Sequence, residues 1–401
     1  MDEVSVSKKV LLIAGGSHSD IPMIESAKKL GYYVVTSGNN PNDVGHKYAD
    51  EMCLEDFSNK EAMLQLAKKL NIDAICSSSN DFSIITSSFV SEKLNLQGYD
   101  SYETTLLIHH KDKFKKFAIK NDFLVPNSQA FTCLKDALKA ISTLKYPSIV
   151  KPIDLTGGKG ITKISTDTEA KKAIENAFSI SRAKKIVIDD FVAGSLHSFS
   201  TIIRDEKVVF CFGDSEYSYK NMYLVSTSTT PSPNFEYIKK ILIEQTEKLA
   251  RLLNLVDGIL HMQYLMNGED INIIEFTRRM PGDLYYKPVL YATGINYADF
   301  IVKAYCDLDI SDVTIPKQSG FYSRHCVMSK KNGVIKNILF DSSIRKNIID
   351  KELWYQRNDI IDNYLTYKAG IIFLKYTSEE EMISKTQDIN ELIRIELDDT
   401  I

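Results

Sequence analysis

Several features that mark particular classes of protein are missing from this sequence of 401 residues. Its six cysteines are never closer together than 20 residues, so no CxxC pair and no zinc-knuckle spacing occurs. The first apolar run, Val10 to Ala14, is too short for a secretory signal or a membrane span. Ten prolines and 18 glycines are too few for a fibrous or low-complexity chain. We therefore expect a reduced, cytoplasmic protein that does not bind membranes.

A large charge of one sign is also missing. Lys and Arg together number 49 and Asp and Glu 53, which gives a formal net charge of −4. A nucleic-acid-binding protein carries a basic excess or a basic stripe, so we do not expect nucleic acid as a partner. The hydrophobic fraction of 44% is ordinary for a globular protein, and the length predicts two to three domains.

The first hundred residues alternate between strand and helix patterns. Strands are predicted at 10–14, 32–36 and 72–77, and helices at 21–30, 61–70 and 84–94. This order predicts a parallel sheet with right-handed crossovers. Ligands of such sheets bind outside the carboxyl ends of the strands. Substrate is therefore expected at the residues that follow the first and third strands, namely Gly16, Ser17, His18, Asn80 and Asp81.

The glycine loop after the first strand reads GGSHSD, which is not a dinucleotide fingerprint. It lacks the GxGxxG spacing that lets a pyrophosphate approach a helix N-terminus, and no acidic residue clearly ends the second strand. A dehydrogenase is therefore rejected as the leading interpretation.

Beyond residue 105 the pattern becomes α+β and contains a candidate phosphate site. A basic helix begins near residue 111, and a later apolar strand ends in Lys151, between Pro147 and Pro152. A glycine-rich stretch, TGGKG at 156–160, follows that strand. Its glycines allow close backbone approach, and its N–H groups can bind phosphate oxygens.

A candidate metal site lies on a predicted hairpin further along the chain. Gln263 and Glu275 lie on two strands joined by a turn and face the same side if the strands bring them opposite each other. Two oxygen ligands suit Mg²⁺ bound together with substrate phosphates. Arg279, four residues after Glu275, would then stabilise charge on a transferring phosphoryl group.

The order of these elements resembles the ATP-grasp superfamily over nearly the whole chain. The most similar subgroup contains biotin carboxylase, carbamoyl-phosphate synthase, the purine-pathway ligases and the L-amino-acid ligases. Asp112-Lys113 resembles the first lysine motif of that family, and YPSIVKP at 146–152 resembles the strand that carries the second lysine. VIDDFVAG at 187–194 resembles the adenine-binding hinge, and Gln263 with EFTRR at 275–279 resembles the metal signature.

The resemblance implies ATP and Mg²⁺, or Mn²⁺ in its place, as cofactors. The residues it assigns to ATP are Lys113, Lys151, Thr156, Gly157, Gly158, Lys159, Gly160, Asp189, Asp190, Phe191, Val192 and His197. The metal ligands would be Gln263, Glu275 and Thr277, although Thr277 replaces the usual Asn of the family. For His197, a structural hydrogen bond within a strand is an equally weighted alternative.

The reaction implied by the resemblance begins with attack of a carboxylate on the γ-phosphate of ATP, followed by displacement of phosphate by an amine or another nucleophile. Lys151 and Arg279 would be the catalytic residues, with Arg279 holding the acyl-phosphate oxygens. Arg278 is interpreted either as a clamp for a substrate carboxylate or as a scaffold residue. Gly282 and Asp283, in the loop that follows, are expected to shape the substrate pocket.

The fold class expected is α/β. It comprises an N-terminal parallel-sheet (Rossmann-like) pre-ATP-grasp domain at 1–105, an ATP-grasp domain at 106–308 with a mobile α+β lid at about 123–189, and a small α+β C-terminal domain at 309–401. The partners expected are a small-molecule carboxylate and an amine, and homodimers are common in the family. Two alternatives stay open: a carboxylating or carbamoyl-phosphate-type enzyme, and a non-catalytic ATP-binding protein.

Overall fold

The amino-terminal alternation forms the predicted parallel sheet. The computed structural model describes residues 8–155 and 158–398 of the chain. The strands of this sheet, in the spatial order β3-β2-β1-β4, are β1 (Val10–Ala14), β2 (Tyr33–Thr36), β3 (Glu51–Met52) and β4 (Ala74–Ser77). The helices that connect or follow them are α1 (Ile21–Lys29), α2 (Lys60–Leu70) and α3 (Asp81–Leu94). Each predicted strand and helix is therefore present, with ends that differ by up to three residues.

Helices cover both faces of this sheet, which explains the continuous apolar run of its central strand. Leu11 and Ile13 pack into a core with Met23 of α1, whereas Leu12 packs into another with Met63 of α2. All these side chains are fully buried. The carboxyl ends of β1 and β4 therefore lie at one edge, where the loops that follow them meet the rest of the molecule.

Two consecutive helices lead from this sheet to a small antiparallel sheet. The connecting helices are α4 (Tyr102–His109) and α5 (Lys111–Lys120). The small sheet has the order β5-β8-β6-β7 and consists of β5 (Ser128–Phe131), β6 (Ser148–Pro152), β7 (Thr162–Ile164) and β8 (Ile186–Asp190). Its helices are α6 (Leu134–Ala140) and α7 (Asp167–Ile180), which cover an apolar core of their own. This unit corresponds to the segment expected to form the lid.

The next part of the chain builds most of a larger antiparallel sheet. Its strands are β9 (Ser195–Arg204), β10 (Lys207–Tyr217), β11 (Thr227–Thr230), β12 (Gly258–Asn267) and β13 (Asp270–Thr277). The helices that accompany them are α8 (Phe235–Leu253), α9 (Tyr286–Thr293) and α10 (Tyr297–Tyr305). The hairpin predicted around Gly268 joins β12 to β13, and its register places Gln263 opposite Glu275.

The carboxyl-terminal part continues the same large sheet. Its strands are β14 (Phe321–Val327), β15 (Gly333–Phe340), β16 (Ile348–Leu353), β17 (Ile360–Ile361), β18 (Gly370–Tyr376) and β19 (Ile393–Leu397). Its helices are α11 (Ser342–Arg345), α12 (Glu379–Gln387) and α13 (Ile389–Leu392). The large sheet has the order β13-β12-β9-β10-β11-β14-β18-β16, and the other three strands form a sheet of order β17-β15-β19. One sheet therefore runs across the predicted division at residue 308.

Among the helices of the described residues, none combines the length and the apolar character that crossing a membrane requires.

A buried ion pair ties the N-terminal part of the chain to the end of β13. The Nε of Arg278 donates to Asp100 Oδ2 at 2.7 Å, and its Nη1 and Nη2 donate to the carbonyls of Ile259 and Val256 at 2.5 and 2.7 Å. Asp100 also accepts from the Val256 N–H at 2.8 Å. Both charged side chains are nearly fully buried. These contacts occupy all three guanidinium nitrogens, so Arg278 has the geometry of a scaffold residue, not that of a substrate clamp.

We predict that Arg278→Met lowers the free energy of unfolding by about 3–5 kcal/mol, because it leaves the Asp100 carboxylate buried without its partner. Urea unfolding followed by circular dichroism measures this loss. Lys207→Met is the matched control: Lys207 also pairs with a carboxylate, Glu247, but is 62% exposed, so its loss should cost less than about 1 kcal/mol. Equal effects of the two substitutions would contradict the structural role of Arg278.

Candidate active site

A cleft of about 690 Å³ lies between the small sheet and the large sheet. Helix α5 and the loop that follows β4 close one side of it, and the loops 218–225 and 281–283 contribute to the other walls. Most of the residues predicted for the site line this cleft: Asn80, Asp81, Lys151, Gly158, Asp189, Asp190, Phe191, Val192, Gln263, Glu275, Thr277, Arg279, Gly282 and Asp283. Elements far apart in the sequence therefore converge on one cavity.

The lining changes from apolar to polar along strand β12. Near the hinge after β8, Leu265 lies opposite Leu196 of β9, and both line the cleft. Two residues back, Gln263 lies opposite Glu275, and His261 lies opposite Thr277. The side chains of alternate residues lie on one face of a strand, so this sequence of residues forms one continuous wall. One end of the cleft suits a flat apolar group, and the other suits charged groups.

Lys151 is held by an ion pair within the small sheet. Its Nζ lies 2.7 Å from Asp189 Oδ2, across the paired strands β6 and β8. Burial opposes ionisation of Asp189, but the ammonium groups of Lys151 and Lys115 hold the pKa of that carboxyl below its usual value. The second oxygen of Asp189, Oδ1, is buried and has no hydrogen-bond partner in the described part of the chain. The pair fixes the direction of Lys151 while leaving it in the cleft wall.

Helix α5 presents two lysines to the cleft that the sequence analysis did not select. Lys111 and Lys115 are four residues apart, so they lie on one face of the helix, and both line the cavity. Lys115 is buried and donates to the Ile273 carbonyl at 3.3 Å, and burial lowers its pKa to about 8. Lys113 lies on another face: its Nζ is 3.7 Å from Glu103, and it does not line the cleft.

The metal ligands expected on the hairpin lie at the centre of the polar wall. A β-bulge between Gln263 and Tyr264 inserts Ile274 as an extra residue, so that Ile274 and Glu275 both line the cleft. Within the described part of the chain, the Glu275 carboxylate makes no ion pair or side-chain hydrogen bond. The Gln263 amide donates to Glu216 Oε2 at 2.6 Å, which leaves its oxygen free to act as a ligand.

Thr277 is less well suited to a metal than Gln263 and Glu275. Its side chain is buried, and its hydroxyl lies 3.5 Å from the Arg279 carbonyl. Within residues 8–155 and 158–398, no group of three His, Cys, Asp or Glu side chains is arranged to hold a metal ion. The hard oxygen atoms of Gln263 and Glu275 fit Mg²⁺, which keeps several waters and takes further ligands from phosphates.

Two buried carboxyl groups on β10 lie beside this pair and were missed by the sequence analysis. Burial, together with the Asp214 charge, raises the pKa of Glu216 to about 8, and burial raises the pKa of Asp214 to about 6. Asp214 accepts from the hydroxyls of Ser198 and Tyr285. The alternation of side chains along β10 could have shown that Asp214 and Glu216 lie on the same face of the strand. It could not have shown that this face is turned to the cleft.

Arg279 reaches the cleft through contacts with the N-terminal part of the chain. Its Nε donates to Asp81 Oδ1 at 2.6 Å, and Asp81 is the first residue of α3. The Nδ1 of His109 lies 3.3 Å from the same carboxylate oxygen. Burial opposes ionisation of Asp81, but Arg279 and His109 hold the pKa of its carboxyl well below the usual value. The sequence analysis did not select His109, because its partner Asp81 is distant from it in the sequence.

The edge of the N-terminal sheet contributes only part of the residues expected there. Gly16 and Ser17 do not line the cleft. A Cβ on Gly16 would lie 2.0 Å from the His46 ring, so this glycine is needed for packing against that ring. The Ser17 hydroxyl accepts from the Ser19 N–H and donates to Asp20, which caps the short turn after β1.

His18 lies beyond the cleft lining, in a charged cluster around Asp283. Its ring stacks on Trp354 with centroids 4.3 Å apart, and its Nε2 is 3.8 Å from Asp283 Oδ1. Lys368 contacts the other oxygen of Asp283 at 2.5 Å, and Arg324 lies 3.6 Å from it. Despite burial, these cations hold the pKa of the Asp283 carboxyl well below its usual value. The cluster joins the N-terminal and C-terminal parts of the chain at the polar end of the cleft.

The hinge residues occupy the apolar end. The N–H groups of Asp190 and Phe191 donate to the carbonyls of Asn127 and Pro147 at 3.0 and 3.1 Å. The N–H of Val192 has no acceptor among the described residues and lies in the lining of the cleft. Lys163 of β7 contacts the Phe191 ring face at 3.7 Å. An N–H donor beside an apolar slot suits the edge of a flat heterocycle.

His197 lies behind this wall and not in it. Its ring is buried, with Nε2 2.6 Å from the Ser195 hydroxyl and Nδ1 2.8 Å from the Ser232 hydroxyl, and burial lowers its pKa to about 4. This placement matches the structural alternative considered for it. Of the glycine-rich stretch, Gly158 lines the cleft at a φ of +74°, Lys159 is exposed, and Gly160 packs against Ile180. Thr156 and Gly157 lie outside the described residues.

Comparison with known proteins identifies the central part of the chain. Residues 110–283 match the family described as ATP-grasp domain. This segment is an ATP-grasp domain. It contains Lys151, the hinge, Gln263, Glu275 and Arg279, and therefore most of the cleft wall.

The wider chain is similar to part of a larger protein. The carbamoyl phosphate synthase large chain of Clostridium acetobutylicum is 23% identical over 297 residues, which cover 69% of this chain and 27% of that protein. The chain thus spans about a quarter of the length of this relative.

Two solved structures resemble the whole fold. An L-amino acid ligase from Bacillus licheniformis superposes with a TM-score of 0.79 at 17% identity, covering 98% of this chain and 99% of the ligase. The biotin carboxylase domain of the Hydrogenobacter thermophilus 2-oxoglutarate carboxylase, solved with MgADP, ADP and bicarbonate, superposes with a TM-score of 0.76 at 14% identity, covering 97% and 90%. These likenesses confirm the predicted fold class.

We predict that Lys151→Met destabilises the protein by about 3–5 kcal/mol, because it leaves the buried Asp189 carboxylate without its closest cation. The double variant Lys151→Met/Asp189→Asn should recover most of that loss, since a neutral amide needs no counter-charge. Urea unfolding of the parent and both variants measures this difference. A single variant as stable as the parent would contradict the importance of the ion pair for folding.

Proposed function

We propose that the chain is an ATP-dependent ligase that joins a small-molecule carboxylate to an amine, or to another nucleophile, and releases ADP and phosphate. The observation that supports this most is that Lys151, Glu275 and Arg279 of an ATP-grasp domain converge on one cleft, where the Glu275 carboxylate has no partner among the described residues. The cleft also opens onto the edge of the N-terminal parallel sheet, which supplies Asn80 and Asp81.

ATP would lie along the wall formed by β12, with its base at the apolar end. Leu196, Leu265 and Phe191 line that end, and the N–H of Val192, which has no acceptor among the residues described, can donate to the base. The phosphates would then extend towards Lys151 and the two lysines of α5 beside it, Lys111 and Lys115. The small sheet would act as a lid, since Gly158 lies against Tyr223 of the opposite loop in this structure.

Mg²⁺ would be held by Gln263 and Glu275, whose oxygen atoms fit it, and Thr277 is the third candidate ligand. When bound, the ion neutralises phosphate charge during transfer. The protein contributes mainly position and electrostatics, as in phosphoryl transfer generally.

In the first step, a carboxylate oxygen of the substrate attacks the γ-phosphorus, and the bond from that phosphorus to the β–γ bridging oxygen breaks, so that ADP leaves. Arg279 and Lys151 stabilise the charge on the transferred group. In the second step, the amine nitrogen attacks the acyl carbon, phosphate leaves, and the nitrogen loses a proton.

The substrate carboxylate would approach from the polar end of the cleft. Asn80, Asp81, Gly282 and Asp283 line that end. Arg324 also lines the cleft, and its Nε is buried with no hydrogen-bond partner among the described residues. Arginine suits recognition of carboxylates, so these residues are the part of the cleft that would distinguish one substrate from another. His18 lies too far back to line this end.

A carboxylating or carbamoyl-phosphate-type activity is the second candidate, favoured by the similarity to a carbamoyl phosphate synthase large chain. It would use bicarbonate as the carboxylate in the same first step. The two activities therefore share the ATP and metal sites and differ in the polar end of the cleft.

Release of ADP from Mg-ATP tests the proposal directly. The purified full chain is incubated with pooled carboxylates and pooled amines, together and separately, and with bicarbonate, and the products are identified by mass spectrometry. ADP release that requires both pools supports the ligase, and release that requires bicarbonate supports the second candidate. No release above background with any combination would contradict catalysis.

We predict that Glu275→Gln retains nucleotide binding but loses most of the turnover, because the apolar end of the cleft binds the base independently of the metal site. Calorimetric titration with ADP and the ADP-release assay measure the two properties. Asp270→Asn, which removes an exposed carboxylate from the same strand, is the control and should behave as the parent does. Unchanged turnover in a folded Glu275→Gln protein would remove Glu275 from the mechanism.

A further inference from the structure

The guanidinium group of Arg279 has one nitrogen left for a ligand. Its Nε donates to Asp81 at 2.6 Å, and its Nη1 donates to the Met280 carbonyl at 3.4 Å. Its Nη2 has no acceptor within the described residues, and the side chain, 15% exposed, lines the cleft. Nη2 is therefore the nitrogen that these contacts leave available, on a side chain that lines the cavity.

The carboxylate that holds Arg279 is itself held in place. Asp81 begins helix α3, whose preceding residue Asn80 caps the helix by accepting from the Phe82 N–H at 2.9 Å. A carboxylate in the first turn of a helix is stabilised by the unpaired N–H groups there. Asp81 thus belongs to a rigid end of the N-terminal sheet and not to a freely moving loop.

His109 completes the arrangement from the end of α4. Its side chain is 1% exposed, and its Nε2 accepts from the Arg278 N–H at 3.2 Å. A ring nitrogen that accepts carries no proton, so the proton of the neutral ring is on Nδ1, which lies 3.3 Å from Asp81 Oδ1. The contact between His109 Nδ1 and Asp81 Oδ1 is too poorly aligned to count as a hydrogen bond. Hydrogen bonds in active sites are often long or poorly aligned before a ligand binds.

We propose that His109 and Asp81 are positioning residues for Arg279: together they fix its Nε side so that Nη2 faces the terminal phosphate of the nucleotide. This inference rests on the proposed function. His109 contacts both the carboxylate that holds Arg279 and the backbone N–H of the residue before it, so it constrains the arginine from two directions. Neither residue would need to touch the nucleotide.

The test compares the affinity for the imido analogue of ATP with the affinity for ADP, both measured with Mg²⁺ by calorimetry. Only the triphosphate offers Arg279 a terminal phosphate, so the ratio of the two affinities reports on that contact. We expect Arg279→Met to lower the ratio about tenfold or more, and His109→Leu to lower it about three- to tenfold. His109→Asn, which keeps an N–H near the position of Nδ1, should restore most of the ratio.

A double variant separates positioning from a general structural role. If His109 acts through Arg279, then His109→Leu has no further effect on the ratio when Arg279→Met is already present. His110→Leu, at the neighbouring histidine, is the control and should leave the ratio unchanged. Melting temperatures of all variants are measured alongside. Should His109→Leu fail to fold, Asp81→Asn replaces it, because it weakens the same contact while keeping the shape of the side chain.

The outcomes are distinct for the two proposals. A parent protein that binds neither nucleotide contradicts the proposed function, and the inference fails with it. Suppose that the parent protein binds both nucleotides. If Arg279→Met then lowers the affinity ratio but neither His109→Leu nor Asp81→Asn does, only the inference is contradicted. Equal weakening of both nucleotides by His109→Leu, or an additive loss in the double variant, also overturns it.

Discussion

Two consecutive arginines at the end of β13 connect the cleft to the N-terminal part of the chain. Arg278 is bonded to Asp100, and Arg279 to Asp81. The two side chains lie in different surroundings: Arg278 is buried among carbonyls and Asp100, whereas Arg279 lines the cleft. Both aspartates lie in the N-terminal part: Asp81 is the first residue of helix α3, and Asp100 follows the end of that helix. The position of the polar wall relative to the parallel sheet therefore depends on these two ion pairs.

The same arrangement explains how so many charges persist in a partly enclosed cavity. Lys151 is compensated by Asp189 and Arg279 by Asp81, whereas Glu275 has no partner among the described residues. Burying an uncompensated charge is costly, so unpaired groups are expected where a ligand supplies the missing charge. A cavity whose dipoles and charges are already oriented needs little reorganisation when charge moves within it. The paired residues stabilise the fold, and the unpaired ones are available to a nucleotide and a cation.

The sequence alone predicted the three longer strands of the N-terminal sheet and the hairpin that carries Gln263 and Glu275, because these follow from local apolar patterns and from a short turn. It did not predict which lysines of α5 face the cleft. A helix with lysines at 111, 113, 115 and 116 has no polar face that distinguishes them, and only the packing of Phe114 and Ala118 against the large sheet turns Lys115 inward. The contact of His109 with Asp81 joins residues from different helices, and no spacing rule connects them. Gly16 had the local pattern of a ligand loop, but His46 covers it in the fold.

The loop after Arg279 shows how the remaining geometry is determined. Asp283 and Leu284 both adopt positive φ angles, +57° and +54°, which is costly for residues other than glycine, by about 1 kcal/mol or more each. Contacts from distant parts of the chain offset this cost: the Asp283 N–H donates to Ser19 Oγ at 2.9 Å, and its carboxylate contacts Lys368. The side chain of Leu284 is buried in a small apolar cluster. In this backbone conformation, the carbonyls of Gly282 and Asp283 each accept from Arg324 Nη1 at 3.2 Å. These hydrogen bonds fix Arg324 at the polar end of the cleft. Because the loop conformation is maintained by both ends of the chain and not by its own sequence, its shape is a property of the assembled fold, as expected for a segment that forms the wall of a binding site.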